Sequence, residues 1–211
     1  MRILRRPLQL IRADLRTYLV INAVTYGVLL AGFAVGLLFP ELAGDRAEAL
    51  ENDGTAALVR SLLASPWLFA ATILGVNVVT IGLFHILLPS LVLPFAGLLF
   101  FGIWTATTGV TLAPTSDVAW VALIPHSLTV VIEFQAYIVL AFGAYLLGRA
   151  WLSPATVGAV NRRQGYVRGL QRVGWMAIPA MILLVIGAIY EAFSLIYLVG
   201  PLSAAILGTP Q

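Results

Sequence analysis

Cysteine and lysine are both missing from this 211-residue chain, and charge of either sign is scarce. Without cysteine there can be no disulfide, no thiolate metal ligand and no thiol nucleophile, and the redox compartment stays open. Only two histidines occur, His85 and His126, and no His-Glu-x-x-His run is present. A zinc hydrolase therefore has no ligand set. Ser127, beside His126, lacks the Gly-x-Ser-x-Gly elbow of a hydrolase nucleophile. No catalytic residue, metal or cofactor is expected, and no nucleic-acid partner. Charged residues make up 10% of the chain, against about 25% in soluble domains. What fills their place is apolar: 61% of the residues are hydrophobic and the mean hydropathy is +0.99. The expected class is an integral membrane protein. The apolar runs are too long, and alternate too little, for a β-barrel.

Five apolar stretches run from about 18–39, 67–88, 91–112, 124–147 and 175–199. Each is long enough to cross a hydrocarbon core about 30 Å thick. The expected fold is all-α: a polytopic transmembrane bundle of five spans (residues 18–211) preceded by a basic amphipathic arm (residues 1–17). In that arm Leu4, Leu8, Ile11 and Leu15 recur at helical spacing. Arg2, Arg5, Arg6, Gln9, Arg12 and Arg16 take the other faces, and Pro7 suits a first helical turn. Such a helix lies on an anionic membrane surface. It either anchors the topology or docks a partner.

Arginine sets the orientation. The arm holds five, and Arg149, Arg162, Arg163, Arg168 and Arg172 form a second cluster. The first loop is acidic, with Glu41, Asp45, Glu48, Glu51 and Asp53 against Arg46 and Arg60. Five spans with a cytoplasmic N-terminus put both arginine clusters inside and the acidic loop outside. The C-terminus is then external, in the cell membrane. Asn52-Asp53-Gly54 marks a turn, and Thr55 is placed to cap a short helix through Ser65. Residues 151–173 are expected to form a short basic helical segment at the cytoplasmic interface. The uncharged link from Leu88 to Pro94 predicts a tight hairpin between spans two and three.

Two carboxylates stand out. Glu133 is the only charge in Ile124–Leu147, and Glu191 is the only charge in Trp175–Val199. A charge at membrane depth costs roughly 2.5 kcal/mol or more, so both should face the bundle interior. Counting at about 1.5 Å per residue places them at similar depth in the outer half of the bilayer, about 10 and 12 Å in. His126 lies two turns above Glu133 on nearly the same face, and Asn77 is near the middle of span two. These four residues are the expected intramembrane polar site, built from spans two, four and five. Each carboxyl can be a hydrogen-bonded neutral acid joining helices, or can line a proton or cation path. Gly97, Gly102, Gly109, Gly143 and Gly148 mark candidate close helix contacts, within a bundle or across a homodimer.

Several of these residues, in this order, carry a family resemblance. They are Asn77 after Ile73-Leu74-Gly75-Val76, then Phe95-Ala96-Gly97 with Gly102 and Gly109, then Ile124-Pro125-His126 with Glu133, Gly143, Gly148 and Pro154, and finally Ala188-Ile189-Tyr190-Glu191-Ala192-Phe193. This pattern, over roughly residues 67–202, resembles the stage II sporulation protein M family. Here Ala96-Gly97 stands for the family's Asn-Gly, and His126 and Glu133 are seven apart rather than four. The resemblance implies a non-catalytic membrane protein acting as a scaffold or partner subunit, in the namesake for cell-wall remodelling. Relatives beside transporter or ATPase components keep a second expectation open: a channel or transporter subunit, or a permease-like partner of a cytoplasmic ATPase docked through the Arg149 to Arg172 loop.

Overall fold

The computed structural model describes residues 4–208, all in helices and short connections, with no strand among the described residues. The expected arm begins at Met1 and Arg2, which lie outside the described residues. Helix α1 covers Arg5–Ala13, with Pro7 in its first turn. The arm was expected as one helix through residue 17, but the backbone breaks at Asp14. There the Asp14 carboxylate accepts a hydrogen bond from the Thr17 hydroxyl (2.7 Å) and pairs with Arg149. Helix α2 then runs Leu15–Leu38.

The acidic loop is more ordered than its charge indicates. Helix α3 covers Pro40–Asn52, with Pro40 in its first turn and Glu41 near the positive end of the dipole. It stops at Gly54, whose φ of +83° suits a residue without Cβ. Helix α4 is Thr55–Leu62, shorter than the expected run to Ser65. Its start is held by Asp53, whose Oδ1 accepts the Thr55 N–H at 2.9 Å, rather than by the Thr55 hydroxyl. The Thr55 hydroxyl, and after it that backbone bond, hold the Asp53 carboxyl below its usual range, and the Arg60 guanidinium does the same for Glu51.

Among the described residues, four helices are long and apolar enough to cross a membrane: Leu15–Leu38, Pro66–Val92, Asp117–Leu152 and Arg162–Tyr197. In the second, helix α5 (Pro66–Val76) widens at Asn77 into a π-helical stretch, Asn77–Leu87, and closes as α6, Leu88–Val92. Where a span over 91–112 was expected, helix α7 covers only Ala96–Leu112, about 25 Å at helical rise. The cause is Leu93, extended ahead of Pro94, followed by Phe95 at φ +66°. A left-handed aromatic residue is uncommon. Its ring is held against Tyr145 (5.8 Å) and over Gly148. Helix α8, Asp117–Leu152, and helix α9, Arg162–Tyr197, both overrun their expected spans. The basic segment after residue 161 is thus the first turns of α9, not a separate helix. Asn161 caps it, accepting the Gln164 N–H at 2.9 Å, while Gln164 Oε1 accepts the Val160 N–H. Helix α10 is Val199–Leu207.

The chain divides into two compact units. One comprises Met1–Gly27, Val76–Trp104 and Phe134–Leu184. Its helices meet through small residues: a methyl group at Gly97 would collide with the Ile86 carbonyl, at Gly165 with that of Ala150, and at Gly169 with Leu147. It also holds a polar knot. The Tyr18 hydroxyl donates to Gln135 Oε1 (3.2 Å), while Gln135 Nε2 donates to Asn22 Oδ1 (2.9 Å) and to the Tyr26 hydroxyl (3.0 Å). Bonds of this kind between membrane helices are worth about 0.6 kcal/mol on average. Gln135→Leu removes all three, so a loss of about 2 kcal/mol is expected in detergent unfolding. Unchanged unfolding would leave the knot without energetic weight.

The other unit comprises Val28–Gly75, Thr105–Glu133 and Val185–Gln211. In it α2 and α7 touch backbone to backbone. A methyl at Gly32 would strike the Ala106 carbonyl, and one at Gly109 the Leu29 carbonyl. Gly36 is equally closed by Val110 and Ala113. Leu62, Phe69, Ala70 and Ala192 form a small core beside these helices, with Trp67 edge-on to Phe193 at 5.3 Å.

Candidate functional site

Helix α8 presents His126, Thr129 and Glu133 at positions i, i+3 and i+7, which is one face of a helix. Helix α9 presents Gly187, Tyr190, Glu191 and Ser194 at corresponding spacing. All of these residues belong to the second unit. Gly187 is what lets the two faces close. A Cβ there would sit 3.0 Å from Glu133 Cγ, so the missing side chain is the space that Glu133 fills, one turn from Glu191.

The Glu133 and Glu191 side chains lie together, within interaction range of each other. Ionised carboxylates only accept, so a hydrogen bond between the two forms only when one carries a proton. On its other side Glu191 meets the imidazole of His126, with Oε1 3.8 Å from Nδ1. These side chains are mostly enclosed, with 17% of Glu191 and 25% of His126 exposed. Two further bonds set the frame. The Tyr190 hydroxyl donates to the Pro125 carbonyl at 3.2 Å, and the Ser194 hydroxyl to the Glu191 carbonyl at 3.0 Å. Thr129 lies fully buried between His126 and Glu133, with no hydrogen-bond partner for its hydroxyl.

A cavity of about 300 Å³ ends on His126. Ala43, Pro114, Ala119, Leu123 and Leu195 line it, so its walls are largely apolar. Among the described residues no three His, Asp or Glu side chains converge to hold a metal ion. The chemistry open to the cluster is polar contact among His126, Glu191 and Glu133.

Three of the four residues expected in an intramembrane polar site are thus brought together. Asn77 belongs to the other unit, where it opens the π-helical stretch. Span two also reaches the neighbourhood of Glu191 through apolar contacts, with Phe69 and Ala70 packed against Ala192. Gly187 and Thr129 were not read from the sequence. Their signal was positional: each lies one helical turn from a carboxylate, on the same face.

The arginines expected at the cytoplasmic interface have separate duties. Arg149 pairs with Asp14. Arg168 Nη1 donates to the Val157 carbonyl at 2.6 Å. Arg172 shares a groove with Arg168, and Arg163 lines a neighbouring one. Arg162 opens α9 and is exposed.

Among the described residues, these features define an all-helical protein with four helices long and apolar enough to cross a membrane, two of which bring the carboxyls of Glu133 and Glu191 together. Comparison with protein-family models, with curated proteins and with solved structures finds no match for the chain.

Proposed function

We propose that this chain is a non-catalytic integral membrane protein of the stage II sporulation protein M kind, acting as a scaffold or partner subunit of a membrane complex. The observation that carries this reading is the enclosed meeting of Glu133 with Glu191, closed over by Gly187. Each carboxyl satisfies the other inside the chain, which is how a buried acid joins helices rather than performs chemistry. Apolar side chains such as Leu19, Val20, Val24 and Leu30 are exposed along α2, a surface suited to lipid. In this reading α7 is the fifth crossing, the N-terminus is cytoplasmic, the C-terminus is external and the assembled form is a homodimer. Reporter fusions at Asp53 and Gln164 are expected to report opposite compartments. The same compartment for both would overturn the topology. Purification from native membranes followed by mass spectrometry is expected to recover a stoichiometric membrane or cytoplasmic partner. Recovery of the chain alone would count against the scaffold role.

The cavity that ends on His126 favours a second reading, a channel or transporter subunit in which Glu133 and Glu191 line a proton or cation path. Proton or cation flux in proteoliposomes, lost in Glu133→Gln and Glu191→Gln, would select it over the scaffold. A wild-type chain that carries no flux removes it.

A further inference from the structure

Away from the carboxyl pair, and wholly within the first unit, three guanidinium groups open onto one groove. Arg6 comes from α1, and Arg168 and Arg172 from the first turns of α9. Residues 168, 171, 172 and 175 lie on one helical face, so Gln171 and Trp175 join them. Leu10, one turn beyond Arg6, and Val157 complete the lining of a cavity of about 260 Å³. Among the described residues no acidic side chain lines it. The nearby carboxylate of Asp14 is occupied by Arg149, and Arg172 lies within electrostatic range of both. Arg149 and Arg172 thus share one carboxylate that is already paired, while Arg6 and Arg168 line the groove with Arg172. Arg168 spends one donor on the Val157 carbonyl and keeps its others. The concentration of like charge calls for an anion from outside the chain.

The surroundings identify the anion. Trp175 is 40% exposed and stands where α9 passes from its basic turns into its long apolar run. Tryptophan at that transition belongs to the headgroup level of a bilayer. Basic pockets at that level bind acidic lipid headgroups. A headgroup phosphate placed in the groove would face Arg6, Arg168, Arg172 and Gln171, with Trp175 and Leu10 beside its acyl chains.

We propose that this groove is a binding site for the phosphate of an acidic phospholipid, fastening α1 to the start of α9. The test uses the full chain purified in detergent. Phosphatidylglycerol is added and followed by native mass spectrometry and thermal unfolding, with phosphatidylcholine and inorganic phosphate at matched concentration. Phosphatidylglycerol is expected to stay bound and raise the melting temperature, while the other two do neither. Each arginine removed from the groove is expected to weaken retention about 5-fold. Arg168→Gln/Arg172→Gln should therefore lose most bound lipid, while Arg162→Gln, outside the groove, keeps it. If the double variant fails to fold, the exposed Arg6→Gln supplies the same comparison. Equal retention of phosphatidylcholine, protection by inorganic phosphate alone, or unchanged lipid retention in the groove variants would each overturn the proposal.

Discussion

Isoleucine in place of Gly109 is expected to cost about 3 kcal/mol or more, and to reduce the folded fraction in detergent sharply. Gly109 faces Gly32 across the contact of α2 with α7, and its Cα is within reach of the opposing backbone. A side chain there meets the Leu29 carbonyl oxygen and the Phe33 amide nitrogen. Backbone atoms cannot rotate aside as a flexible side chain can, so the helices must separate. Separation also breaks the neighbouring contacts of Gly36 with Val110 and Ala113. Gly102, on the same helix α7, is the control, since nothing lies within 4 Å of a methyl group placed there. Gly102→Ala should leave the melting temperature unchanged or raise it, because alanine favours a helix over glycine by about 1 kcal/mol. Equal tolerance at positions 109 and 102 would mean that α2 and α7 are not in backbone contact.

Glu191→Leu is expected to be the most damaging change in the polar cluster. It leaves Glu133 without its hydrogen-bonded partner and His126 without its carboxylate neighbour. Each enclosed polar group left unsatisfied costs about 1–3 kcal/mol. Glu191→Gln behaves differently. An amide both donates and accepts, as a protonated carboxyl does, so it can keep the bond to Glu133. Thermal unfolding of the two variants separates the cases, with a large drop expected for leucine and a small one for glutamine. If glutamine is as damaging as leucine at position 191, the hydrogen-bonded neutral acid is the wrong description.

Much of the helical layout could be read without the structure, and the misses have local causes. The third apolar stretch was read as starting at residue 91 because hydropathy does not register a chain reversal made of Leu93, Pro94 and Phe95. Pro94 was visible; the left-handed Phe95, stabilised by Tyr145 and Gly148 from α8, was not. Residues 40–52 were read as an acidic loop because charge was used to set topology. Yet the same stretch holds Pro40 at a helix start and alanine, leucine and glutamate through its length. The run after residue 161 was read as a separate basic segment. The Asn161 cap and its Gln164 partner show that one helix begins there and continues into the apolar stretch.

The glycines show the same division. Gly97, Gly109, Gly143 and Gly148 do lie in close contacts, whereas Gly102 faces open space. Gly32 and Gly36 carry a four-residue spacing in α2 and were passed over, although their contacts are tighter than those of Gly143 and Gly148. Spacing says that a helix has a flat face; it does not say whether another helix covers it.

By itself the sequence determined the all-helical class, the positions of the long apolar runs, the scarcity of catalytic side chains and the two isolated carboxylates. Each of these is a property of local composition, which adds up along one strand of chain. Only the tertiary structure decided that Glu133 meets Glu191, that Gly187 makes room for the meeting, and that Gln135 gathers Tyr18, Asn22 and Tyr26. Those pairings depend on how each helix is rotated about its axis and on which neighbour it packs against. A rotation of half a turn leaves hydropathy and length unchanged while it moves every side chain to a different partner.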